Sequence, residues 1–253
     1  MSLSVEVTGA GTPLALIHGW GFHSGVWDGF VPPLAQRYRV HLVDLPGHGR
    51  SRETPFGTLD EVADNIARGI PDGTVLCGWS LGGMLAQRVA LRHPRKARSL
   101  VLVSTTPCFV ARSGWEHGTQ SATLDEFARG MQDDPAAALD AFLHLNAFAA
   151  QGARAAARAL SQRLGERPQA SREALDAGLA LLRDTDLRGD VAGLSLPVIA
   201  IHGSRDRVVP VGAGRWLAAS IAGARLIELP GSAHLPFVTD RDATLAALRA
   251  FDA

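Results

Sequence analysis

The segment Gly78-Trp79-Ser80-Leu81-Gly82 limits the possible folds of this chain more than any other stretch. Before it, Thr74–Cys77 is a short apolar run of strand type. After it, Leu81, Met84, Leu85, Val89 and Leu91 recur at near-helical spacing, and Pro94 stops the pattern. A serine between such a strand and helix fits the sharp elbow that presents a nucleophile. There the strand and helix come close enough that side chains beside the serine would collide, a crowding that Gly78 and Gly82 relieve. The turn also sets the hydroxyl near a helix N-terminus, where amide groups favour negative charge. The plain alternative is a glycine-rich turn with an incidental serine.

The same grammar runs through both ends of the chain. Leu14–Ile17, Val40–Val43 and Leu100–Val103 are further short runs rich in branched residues. Val198–Ile201, a helix near Val211–Ile221, a strand at Leu226–Leu229 and a helix from about Asp240 follow later. Runs of this kind suit strands buried on both faces of a mostly parallel sheet. From about Phe109 to Gly189 the character changes: Ala, Leu and Arg dominate, and Pro135–Phe148 and Gly152–Leu164 read as helices. The expected architecture is an α/β-hydrolase fold, with residues 1–108 and 190–253 as core and 109–189 as an inserted helical cap. A separate helical domain is the alternative for the middle section.

A serine hydroxyl needs a base, and an imidazole base needs a carboxylate on its other nitrogen. His234, in Gly231-Ser232-Ala233-His234, follows the last predicted strand. Asp206, in His202-Gly203-Ser204-Arg205-Asp206, follows the one before. Ser80, Asp206 and His234 thus each stand at a predicted strand end, where chemistry collects in such sheets, and in the chain order of this hydrolase fold. Asp240 and Asp242 are the other possible orienters, although both read more simply as caps of the final helix. Asp44 reads as a brace for the Asp44–Ser51 loop. A tetrahedral oxyanion needs donors already in place, and the N–H groups of Leu81 and Trp20 are the candidates. The Trp20 ring either lines an acyl channel or packs beside Trp79.

The 25 basic and 25 acidic residues balance, so no long-range field suited to nucleic acid is expected. No run approaches the roughly 18 apolar residues of a membrane span, and MSLSVEVTGAGTP does not read as a signal peptide. Cys77 and Cys108 are too few for a disulfide framework, and no zinc spacing appears. A cytoplasmic, monomeric enzyme without metal or organic cofactor is therefore expected.

His18-Gly19-Trp20-Gly21, Asp44-Leu45-Pro46-Gly47-His48-Gly49-Arg50-Ser51, Gly78-Trp79-Ser80-Leu81-Gly82-Gly83 and Pro107-Cys108-Phe109, in this order, resemble the biotin-synthesis carboxylesterases, the pimeloyl-[acyl-carrier protein] methyl ester esterase family. The resemblance implies hydrolysis of the methyl ester of pimeloyl-carrier protein, with Ser80, Asp206 and His234 as the catalytic residues and Trp20 and Leu81 around the oxyanion. It also implies that Phe142, Leu143, His144, Leu145 and Asn146 contact substrate, though an ordinary amphipathic packing helix is an equal reading of that segment. Arg154 and Arg158, four apart and so on one helical face, look like the family's basic docking pair for an acidic acyl-carrier protein, or else a solvated arginine face. Ala137 and Ala141 stand where relatives can carry arginines. Rival functions are a general short-chain carboxylesterase, a lactonase, a carbon–carbon bond hydrolase, or a binding module on the same scaffold.

Overall fold

In the computed structural model, which describes residues 2–148, 150 and 153–251, the predicted strands pair into one sheet. The strands are β1 (Val5–Thr8), β2 (Thr12–Ile17), β3 (Tyr38–Val43), β4 (Thr74–Trp79), β5 (Ala97–Val103), β6 (Val198–Gly203) and β7 (Arg225–Leu229). Their order across the sheet is β1-β3-β2-β4-β5-β6-β7, with β1 antiparallel to β3 and every other neighbouring pair parallel. The helices are α1 (Val31–Ala35), α2 (Leu59–Gly69), α3 (Leu81–Arg92), α4 (Ser121–Asp133), α5 (Pro135–Ala147), α6 (Ala153–Gly165), α7 (Arg172–Asp184), α8 (Val211–Ser220), α9 (Pro236–Thr239) and α10 (Arg241–Phe251).

The period of two along a strand divides the core into two layers. Ala15, Ile17, Leu76, Leu100 and Leu102 pack with Val62 and Ile66 of α2, Met84 and Val89 of α3, and Leu217 of α8. Their neighbours Leu14, Leu16, Val75, Cys77, Val101 and Val103 pack on the other face with Trp27, Phe30, Leu34, Phe237 and Leu248. Both faces being covered explains why these strands read as continuous apolar runs. Each fully buried leucine or valine stabilises the fold by about 1.5–3 kcal/mol.

The chain passes from β2 to β3 on one side and returns across β2 to β4 on the other. Loops that leave β2 and β4 therefore diverge and open a crevice at their carboxyl ends, the usual ligand position in open α/β sheets. Helices α4–α7 lie between β5 and β6 in the chain. The Pro135–Phe148 stretch forms α5, whereas the Gly152 end of the second predicted stretch lies outside the described residues.

Several elements went unread in the sequence, β1 and α2 among them. Edge strand β1 is too short and exposed to carry a strong pattern, with a buried-to-exposed order that never alternates cleanly. Helix α2 did have a signal: Thr58 and Glu61 form a capping box, each side chain accepting from the other's backbone N–H.

Candidate active site

The elbow is built as its glycines require. Ser80 sits at φ 55° and ψ −121°, a strained conformation for a residue with a side chain. A Cβ at Gly78 would run into the carbonyl of Gly82, and one at Gly82 would meet the carbonyls of Ile17 and His18. The backbone of Ser80 is held from both sides. Its N–H donates to the Val103 carbonyl (3.0 Å), and its own carbonyl accepts from the Thr105 hydroxyl (2.6 Å) and the Gly83 N–H (2.9 Å). These bonds offset the strain and fix where the hydroxyl projects.

Asp206 and His234 come from the loops after β6 and β7. Asp206 Oδ2 accepts from His234 Nδ1 at 2.7 Å, while Oδ1 accepts the N–H groups of Val208 and Val209, both at 2.9 Å. Burial pushes the Asp206 carboxyl up, but the His234 charge and hydrogen bonds from His202 and His234 outweigh it and hold it well below the usual carboxylate range. With Nδ1 engaged, the proton-accepting nitrogen left to His234 is Nε2, which is buried and makes no hydrogen bond among the described residues, Ser80 Oγ included. The main-chain carbonyl of Asp240 accepts from the Thr244 N–H and hydroxyl, and Asp242 pairs with Arg241, while the imidazole Nδ1 bonds to Asp206.

The backbone of His234 is clamped as well. Its carbonyl accepts from the Trp79 indole N–H (2.8 Å), and its N–H donates to the carbonyl of Asn146 in the last turn of α5 (3.1 Å). Trp79 thus sides with His234: its ring packs on Phe22, His234 and Phe237. The Trp20 ring lies elsewhere, edge-on to Phe127 and Phe142, with its indole N–H on the Leu175 carbonyl (2.9 Å). This approach depends on Gly178, because a Cβ there would stand 2.6 Å from the Trp20 ring.

The main-chain N–H groups of Trp20 and Leu81 donate to no acceptor among the described residues. The loop carrying Trp20 is braced from behind. His18 Nε2 accepts from the Leu45 N–H (3.0 Å), so its Nδ1 carries the proton and donates to the Gly19 carbonyl (2.8 Å). Burial, then the nearby His48, hold the His18 imidazole down at about 3. Asp44 accepts from the N–H groups of Ser24 (2.7 Å) and Arg50 (2.9 Å), and its carbonyl accepts from Ser51 Oγ (2.8 Å), the bracing role its position suggested.

A cavity of about 130 Å³ opens beside Ser80, lined by Trp20, Leu124, Phe127, Phe142, Leu145 and Leu179 among others. The structure divides the 142–146 segment. Phe142 and Leu145 reach this cavity. Leu143 instead joins the core layer of Trp27 and Phe237, and His144 turns outward to the Asp140 carbonyl (2.9 Å). Asn146 is fully buried; its amide donates to the Phe142 carbonyl (2.6 Å) while its Oδ1 has no partner among the described residues. Helical periodicity explains the division, since consecutive residues point about 100° apart. Arg154 and Arg158 are both exposed on α6.

Sequence reasoning missed His202, whose Nε2 lies 3.3 Å from Asp206 Oδ2 and 2.9 Å from the Val209 carbonyl. A histidine closing a strand four residues before the chosen aspartate was the available signal. It also missed Arg207, which lines the cavity. Among the described residues, no cluster of side chains suits a metal ion, and no helix is long and apolar enough to cross a membrane.

Comparison with known proteins agrees with this fold. The alpha/beta hydrolase family model matches residues 14–248. The chain is 40% identical over 238 residues to the pimeloyl-[acyl-carrier protein] methyl ester esterase of Nitrosomonas europaea, covering 94% of each protein. It is 41% identical over 251 residues to the protein of the same name from Methylococcus capsulatus, covering 99% of this chain and 98% of that one. Among solved structures, an esterase from Exiguobacterium antarcticum superposes with a TM-score of 0.90 at 24% identity, over 99% of this chain and 96% of that one. The enol-lactonase of Burkholderia xenovorans does so with 0.85 at 22% identity, over 98% and 95%, a likeness of fold alone. With such matches along nearly its whole length, the chain belongs to the alpha/beta hydrolase family and, within it, to the family of the pimeloyl-[acyl-carrier protein] methyl ester esterases.

Proposed function

We propose that this protein is a serine carboxylesterase that hydrolyses the methyl ester of pimeloyl-[acyl-carrier protein], releasing methanol and the free distal carboxylate for biotin synthesis. The observation that carries the chemistry is the 2.7 Å bond from His234 Nδ1 to Asp206, which leaves Nε2 as the ring's only base. Ser80 Oγ attacks the ester carbonyl as Nε2 takes its proton. The Oγ–H···Nε2 bond forms in the substrate complex, such bonds often being long in the free enzyme. The oxyanion accepts from the Trp20 and Leu81 N–H groups. The C–O bond to the methoxy group then breaks, and His234 returns the proton to make methanol. Water, deprotonated by His234, attacks the acyl-serine, and collapse of the second intermediate frees the carboxylate and restores Ser80.

In this reading residues 109–189 act as a cap on a core formed by 1–108 and 190–253. Contacts of α5 with His234 and Trp20 support it. The lining of the cavity by Phe142 and Leu145 suits a methylene chain. Exposed Arg154 and Arg158 offer a basic face for an acidic acyl-carrier protein. Chromatographic measurement of methanol release from pimeloyl-carrier-protein methyl ester, beside a panel of small esters, tests the reading. Efficient turnover that Ser80→Ala abolishes supports it; a clear preference for small free esters would overturn the carrier assignment.

A further inference from the structure

Arg207 is mounted on a well-tied loop. Asp206 Oδ1 holds the next two N–H groups, and the Thr119 hydroxyl donates to the Val208 carbonyl at 3.0 Å. The guanidinium lies over the Phe148 ring, 4.7 Å from its centroid. It lines the same cavity as Ser80 and, among the described residues, is the only charged one that does. Many arginines of this chain pair with carboxylates, among them Arg88, Arg92, Arg167, Arg183, Arg188 and Arg215. Arg207 has no such partner among the described residues, so its donors stay free for a ligand. The intervening walls, Leu124, Phe127, Leu145, Leu179 and Leu182, carry no charge and suit methylenes.

A nucleophile at one position, an apolar passage, and an unpaired cation elsewhere on its wall describe a linear substrate with an ester at one end and an anion at the other. We propose that the protein also hydrolyses methyl half-esters of straight-chain dicarboxylic acids, with the free carboxylate on Arg207 and the ester at Ser80. This rests on Ser80 as nucleophile but extends the reading to a free acid, whereas the far end of a carrier-bound acyl chain is a neutral thioester. The bonds made and broken are those already described. One water is consumed, methanol leaves, and the product is the dicarboxylate.

The test compares kcat/KM for monomethyl pimelate with that for dimethyl pimelate, in the intact protein and in Arg207→Met and Arg207→Lys. At pH 7.5 the half-ester is ionised, since free carboxyls titrate near about 4. The half-ester to diester ratio is expected to fall about tenfold in Arg207→Met, the effect of one charge-assisted hydrogen bond at a partly wet site. Arg207→Lys should retain part of it, and added salt should shrink the difference. A ratio within about twofold across the intact protein and Arg207→Met would overturn the proposal alone. Failure of the half-ester to react while methanol is still released from pimeloyl-carrier-protein methyl ester would likewise overturn the proposal alone, and failure of all three esters would overturn it together with the esterase reading.

Discussion

In Asp206→Asn, the structure dictates which way the new amide must face. Asp206 Oδ1 accepts from Val208 and Val209 N–H, both at 2.9 Å, so placing an NH2 there would oppose two donors with a third. The asparagine oxygen therefore takes that side, and its NH2 faces His234 Nδ1, where the carboxylate oxygen stood at 2.7 Å. Nδ1 must then accept, the proton moves to Nε2, and the ring loses the lone pair that would deprotonate Ser80. The same exchange of an orienting carboxylate for its amide costs a catalytic triad about 10⁴-fold in turnover. At 1.36 kcal/mol per decade that is about 5.5 kcal/mol of barrier. Little stability should be lost, because the isosteric side chain keeps both backbone donors satisfied. Asp206→Ala, in contrast, strands them at about 1–3 kcal/mol each. Stopped-flow hydrolysis of p-nitrophenyl butyrate, with thermal unfolding of both variants, measures the two effects separately. A folded Asp206→Asn protein retaining more than about a tenth of the turnover would refute the tautomer argument.

Ser80→Ala should bind ester and lose nearly all turnover, as equilibrium binding and initial rates would show. Trp79→Phe keeps a ring against Phe22 and Phe237 but removes the donor to the His234 carbonyl. Stability should fall by about 1–3 kcal/mol. Because the base is less well held, kcat should drop more than KM rises; an unchanged kcat would show that the clamp does not position the base. The buried imidazoles predict acid sensitivity. Burial, then the nearby His48, lowers His18 from 6.5 to about 3, and burial lowers His48 to about 4 against the opposing pull of the Pro46 carbonyl and Asp44. The unfolded chain thus binds protons that the folded one refuses, and stability present above pH 6.5 is lost as pH falls through this window. Urea midpoints should already decline between about pH 6.5 and 5, above the carboxylate range, and His18→Asn should flatten the slope. A flat profile for the parent protein would contradict the assignment of neutral imidazoles.

Most of the sheet could be read along the chain because burial on both faces writes each strand as an apolar run. The elbow could be read because part of its crowding is local, a Cβ at Gly78 meeting the Gly82 carbonyl, although Gly82 itself makes room for the distant Ile17 and His18 carbonyls. Edge strand β1 lacked that imprint, since a strand that borders solvent needs few apolar side chains. The 142–146 segment was read as one unit, yet a helix points successive residues in different directions. Only packing sent Phe142 and Leu145 to the cavity, Leu143 to the core and His144 to solvent.

By itself, the sequence determined the class of fold, the strained serine and the order of the residues proposed to act with it, all of which follow from periodicity, sterics and short-range turn chemistry. Tertiary structure brought the Asp206 carboxylate, which the sequence favoured over Asp240 and Asp242, to 2.7 Å from the imidazole. It also decided that Trp79 and Asn146 clamp His234, that Gly178 admits the Trp20 ring, and that Arg207 reaches the wall of the Ser80 cavity. Contacts such as Trp79 with His234 span 155 positions, and no local pattern encodes them. They exist because a sheet brings the carboxyl ends of distant strands to one edge.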